Sequence, residues 1–179
     1  MRRAPRALAL GAALAVAACG SSAPPVATLP ARAVPGLPST RTTLTPAFLA
    51  RETQAAPLRA RLRAWGFLAG ARRYFQGESR TLQLVDSRTL RFRQAAGAAA
   101  FVAFLRVHLN SYLGSFAHTR HYTAQGRSGF LAIGQECQCH LANPTYLAAV
   151  SAHGTVSWLE INGPGATRRR LASLLARAP

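Results

Sequence analysis

Residues 146–161 read YLAAVSAHGTVSWLEI, and the fold turns on how this stretch divides. His153-Gly154 is a turn signal, since glycine supplies the positive φ that a tight hairpin needs. Tyr146–Val150 and Val156–Ile161 flank it at strand length, which predicts a hairpin. In the second arm both alternations are apolar. Val156 and Trp158 fall on one side, Leu159 and Ile161 on the other, so this arm is expected to be a central strand covered on both faces.

Working outward, 129–134 (GFLAIG) is a short apolar run and predicts a strand, with a turn at Asn143-Pro144 before the hairpin. The strongest helical signal lies at 95–112. Phe101, Leu105, His108 and Tyr112 share one stripe, Val102 and Leu109 lie beside it, and Gly97 is near its start. His108 on that stripe reads as a core histidine rather than a ligand. Residues 80–93 place Leu82, Leu84, Leu90 and Phe92 on alternate positions, with Asp86-Ser87 as a bulge in one strand or a turn between two. Phe67–Phe75 reads as a strand behind Gly66, which ends a helix carrying Leu58, Leu62 and Trp65 after Pro57. Phe48-Leu49 forms a short helical turn before it. Beyond the break at 162–165, Leu171, Leu174 and Leu175 line a final helix. Strands meeting through hairpins, with helices between groups of them, predict an α+β fold. Its sheet is antiparallel, of about five strands, with helices packed on it in the order α-β-β-α-β-β-β-α.

That order, with the stretches 66–70 (GFLAG) and 90–98 (LRFRQAAGA), resembles the Mog1/PsbP-like domains of small lipoproteins from high-GC Gram-positive bacteria. The resemblance implies the same architecture over 45–179 and a binding role. It supplies no catalytic residue.

The N-terminus carries an address. Arg2, Arg3 and Arg6 precede twelve uncharged residues, Ala7 to Ala18, too few to span a bilayer and right for a signal peptide. The run exits at Val16-Ala17-Ala18-Cys19-Gly20, which resembles a lipobox. Residues 1–18 are thus expected to be a lipoprotein signal peptide and Cys19 the lipidated residue, a diacyl anchor that replaces a transmembrane helix. Residues 19–44, rich in Pro, Ser, Thr and Ala, read as that cysteine followed by a disordered tether, and 45–179 as one domain. The chain is then held at the outer face of the cytoplasmic membrane.

The formal charge is +17, and all 22 basic residues are arginine. Loss of Arg2, Arg3 and Arg6 with the leader lowers it to +14. Such a surface favours anionic lipid, an acidic wall polymer or another surface protein as partner. Nucleic acid is not expected, because the chain is exported and its arginines are scattered. Five acids stand against them, and no two share a spacing suited to acid–base work. No G-x-S-x-G, H-E-x-x-H or phosphate-cradling glycine loop is present.

One cluster stands out: Glu136-Cys137-Gln138-Cys139-His140. With Cys19 taken by lipid, Cys137 and Cys139 have each other as partners, as a disulfide at the far edge of its geometry, about 6.5–7 Å between alpha carbons if extended. They also suit a soft metal, Cu or Zn, with His140, and with His118 and His121 if that segment folds back. Free or redox-active thiols are the third alternative. Apart from the diacylglycerol on Cys19 and that possible ion, no cofactor is expected. The function expected is a membrane-anchored, non-enzymatic binding or accessory module, with thiol or metal handling as the alternative.

Overall fold

β7 (Thr155–Asn162) occupies the middle of a seven-stranded sheet ordered β1-β2-β3-β7-β6-β5-β4, every neighbouring pair antiparallel. The computed structural model describes residues 25–53, 55–112, 116–134 and 143–179. The other strands are β1 (Ser39–Leu44), β2 (Phe67–Gln76), β3 (Leu84–Phe92), β4 (Phe116–Ala124), β5 (Arg127–Gly134) and β6 (Thr145–Ala152). Among the described residues four α-helices accompany them: α1 (Pro46–Glu52), α2 (Leu58–Ala64), α3 (Ala95–Tyr112) and α4 (Arg168–Leu175).

The two-sided apolar pattern of β7 has the expected cause. Val156 and Trp158 enter a core beneath α1, α2 and α3, whereas Leu159 and Ile161 enter a second core beneath α4. Two sheet faces, each with its own cover, make three layers. The β6–β7 turn is His153-Gly154, with φ of 47° and 79°, and Gln125-Gly126 closes β4–β5 in the same way at 50° and 71°. Paired positive φ values are those of a two-residue hairpin turn whose twist matches the flanking strands.

α3 forms over its whole expected length. Phe101, Val102, Leu105 and Leu109 are buried, and the Phe101 ring lies 6.4 Å from both Trp158 and Trp65. Gly97 marks a close crossing, because a Cβ there would lie 2.0 Å from the Trp65 carbonyl oxygen. α4 carries the expected Leu171, Leu174 and Leu175 inward, and Thr167 caps it by accepting the Arg170 amide hydrogen.

Three expectations change. The sheet has seven strands rather than about five. The two additional ones are the edges, β1 (STRTTL) and β4 (FAHTRHYTA), whose mainly polar sequences have no apolar alternation to read. Edge strands of this kind are expected to be polar, because charges there oppose unwanted pairing. The segment expected as tether is part of the fold from residue 25 onward. Val26, Leu29, Val34 and Leu37 are buried over the α4 face, and a 3-10 turn runs Ala31–Ala33. Finally, Asp86-Ser87 is neither turn nor bulge. β3 runs through it in regular register with Asp86 opposite Tyr74 on one side and Glu160 on the other.

Candidate functional site

α3 packs across β3, β5, β6 and β7 and also touches β4, and its Ala99–Val107 side faces β4 and β5 across a gap. The face of β4 and β5 beyond the helix is left open, forming a cleft of about 560 Å³. One wall is the side of α3: Ala99, Val102, Ala103, Arg106 and Val107. The floor is the sheet, with Thr119 and His121 from β4, Ser128 and Phe130 from β5, and Ser151 from β6. The register explains this set, since Thr119 pairs with Ala132, His121 with Phe130 and Ser128 with Ser151, all on the α3 side. Thr119, Ser128, Gly129 and Ser151 on the floor and Ala99 and Ala103 on the wall are small and leave the space unfilled.

The cleft has a graded chemistry. Phe130 is fully buried at its base, whereas Val107 is 77% exposed at the rim. Arg106 and His121 are exposed, one on each side. The His121 Nε2 lies 3.3 Å from the Thr123 hydroxyl. Among the described residues, no carboxylate and no thiol lines the cleft. An apolar trough with a guanidinium and an imidazole at its mouth suits a small ligand with an apolar body and an anionic head.

On the other side of α3, the same sheet face holds a buried ion cluster. Arg72 donates to both Asp86 oxygens, at 2.9 and 2.8 Å, and to Glu52 at 2.9 Å. Arg88 donates to Asp86 at 2.6 and 3.1 Å and to Glu52 at 2.7 and 3.2 Å. Each guanidinium also lies over an aromatic ring, Arg72 over Tyr74 at 4.5 Å and Arg88 over Trp158 at 4.2 Å. Burial works against the Arg88 charge, but Asp86 and Glu52 outweigh it and raise its pKa above the ordinary arginine value. Glu160 is the third carboxylate. It stands directly opposite Asp86 across β3–β7, and no hydrogen bond reaches it from the described residues. Burial, then the neighbouring Asp86, pushes its pKa up to about 7. Glu52 lies at the end of α1, so the cluster pins that helix to β2 and β3.

No acid of this cluster was expected as a site, because, apart from Asp86 and Arg88, the paired residues lie 14 to 36 positions apart in the chain. The available signal was indirect: charged residues inside otherwise apolar strands, at Asp86, Arg88 and Glu160. The expected site residues fare differently. Cys19, Cys137, Cys139 and His140 lie outside the described residues. His118 and His121 both sit on β4, three residues apart, so they point to opposite faces of the sheet, and only His121 reaches the cleft. His108 is half-buried on α3, its ring centroid 4.5 Å from that of Phe104. Among the described residues, no group of three His, Cys, Asp or Glu side chains is placed to hold a metal ion, and no helix is long and apolar enough to cross a membrane.

No family model matches the chain. No curated protein matches it. Among solved structures, it is similar to the extracellular domain of PknH from Mycobacterium tuberculosis, at 14% identity over 78% of this chain and 75% of that chain, with a TM-score of 0.42.

Proposed function

We propose that this chain is an extracytoplasmic, lipid-anchored binding module whose cleft between α3 and the β4–β5 edge takes a small amphipathic anion. The observation that carries it is the cleft itself: about 560 Å³, an alanine- and valine-lined wall, and the Arg106 guanidinium and His121 imidazole at the mouth without an opposing acid among the described residues. Volumes of this order, mainly apolar with a few placed polar groups, are those of ligand sites. The lining offers one imidazole and one guanidinium, enough to hold a carboxylate or phosphate head and too few for an acid–base relay. Anchoring at the outer face of the cytoplasmic membrane follows from the Cys19 lipobox and would present the cleft to extracytoplasmic ligands.

The test uses the chain from residue 19, with Cys19→Ser, and two dansyl probes of equal chain length, one a carboxylate and one an alcohol. Arg106→Gln is expected to weaken the carboxylate probe about tenfold, in line with a lost charge-assisted hydrogen bond, and to leave the alcohol unchanged. Ala103→Phe, which fills the trough, is expected to weaken both. Binding of both probes unaffected by either substitution would remove the cleft as the site.

A further inference from the structure

Two sheet faces carry exposed arginines, and the path of the chain distinguishes them. Cys19 and Pro25, the first described residue, are joined by six peptide steps, which span at most about 20 Å when fully extended. From Pro25 the chain runs directly onto the α4 face, where Val26 and Leu29 are buried and the 3-10 turn packs beside α4. A short linker from a lipidated residue therefore delivers this face to the membrane first. The α2 surface lies on the far side of the sheet.

Charge agrees with that placement. Arg32 on the 3-10 turn and Arg168, Arg169 and Arg170 on α4 are all exposed. The Arg168 and Arg169 guanidiniums make no hydrogen bond within the described residues, and the Arg170 guanidinium reaches only the Gly165 carbonyl, at 3.4 Å. Positive charge in the first turn of a helix opposes the helix dipole, so these three guanidiniums do not serve α4 itself. Opposing charge is scarce. Of the four described acids, Glu52, Asp86 and Glu160 are drawn into the internal cluster, leaving Glu78 as the exposed one, two residues from Arg80 on the 77–83 loop.

We infer that the face formed by α4 and residues 25–38 rests on an anionic phospholipid bilayer through Arg32, Arg168, Arg169 and Arg170, so that the cleft, on the opposite face, opens away from the membrane. Ligand is then taken from the extracytoplasmic phase rather than from the bilayer beneath. The inference rests on Cys19 as anchor for its direction, and the test is made without the lipid so that the two can fail separately.

The chain from residue 19 with Cys19→Ser is sedimented with vesicles of phosphatidylglycerol and phosphatidylcholine, and with phosphatidylcholine alone. Retention is expected only with the former. Each arginine near such a surface contributes enough that R168Q/R169Q/R170Q is expected to weaken retention by about tenfold or more. R59Q/R61Q/R63Q on α2 removes the same charge and is expected to change it by less than about threefold. Thermal unfolding of both triple variants confirms that they are folded, and Arg169→Glu alone should shift retention in the same direction as the α4 triple. Equal losses from the two triples, or no preference for phosphatidylglycerol, would overturn the assignment. Retention by isolated cell wall but not by vesicles would do so as well, moving the surface to a wall partner.

Discussion

Arg88→Ala is expected to lower the free energy of unfolding by about 3–5 kcal/mol, the range for removing one partner of a buried ion pair. Arg88 is 4% exposed and supplies four of the hydrogen bonds that hold Asp86 and Glu52, besides covering the Trp158 ring. Its loss leaves Asp86, 3% exposed, with Arg72 alone, and leaves a cavity above Trp158. Arg72 is more exposed, so Arg72→Ala is expected to cost less than Arg88→Ala. Urea unfolding at pH 7 reads both. A loss below about 1 kcal/mol for Arg88→Ala would mean that solvent, and not the guanidinium, compensates the carboxylates.

The second large effect belongs to Glu160 and carries the opposite sign. Its pKa in the fold is about 7, against 4.5 for an unperturbed glutamate. The folded state therefore binds the proton more tightly than the unfolded chain. Stability associated with the neutral carboxyl is complete below about pH 4.5 and is lost as pH rises through 7. The difference corresponds to roughly 3 kcal/mol at most. The groups facing Glu160 among the described residues are Asp86 and Arg88 on β3, Arg72 on β2 and Glu52 on α1, with Leu147 opposite on β6. Glu160→Gln keeps the shape and removes the charge. It is expected to stabilise the protein by about 2–3 kcal/mol at pH 8 and by little at pH 4. Stability curves of parent and variant that run parallel from pH 4 to 8 would show that Glu160 ionises freely in the fold.

Local pattern accounts for the elements that were legible in the sequence. β7 carries apolar residues on both alternations because it is the central strand between two covered faces, and Val156, Trp158, Leu159 and Ile161 state this directly. The His153-Gly154 turn, the α3 stripe and the three leucines of α4 are equally local. The edges were hidden for a physical reason. β1 and β4 have solvent on their outer sides, so their residues follow no apolar period. Residues 25–38 were hidden because isolated Val26, Leu29, Val34 and Leu37 among prolines carry no period either, although together they cover much of a sheet face.

The sites are less legible than the fold because both arise from register and offset. Asp86 meets Glu160 because β3 pairs with β7 across more than 70 intervening positions. The cleft exists because Ala99 and Ala103 of α3 face Thr119, Ser128 and Ser151 of three strands, which no stretch of β4 or α3 states alone. Arg106 and Val107 on the open side of α3, where the stripe ends, are its clearest trace in sequence.

Ligand binding is assigned to the cleft beside α3. Amide NMR of the chain from residue 19, Cys19→Ser, titrated with decanoate, tests it most directly. Binding in the cleft gives saturable shifts at Thr119, His121, Ser128 and Phe130 and along α3 from Ala99 to Val107, with α2 and α4 unmoved. Shifts concentrated on α4, or scattered over the arginine surface without saturation, would contradict it.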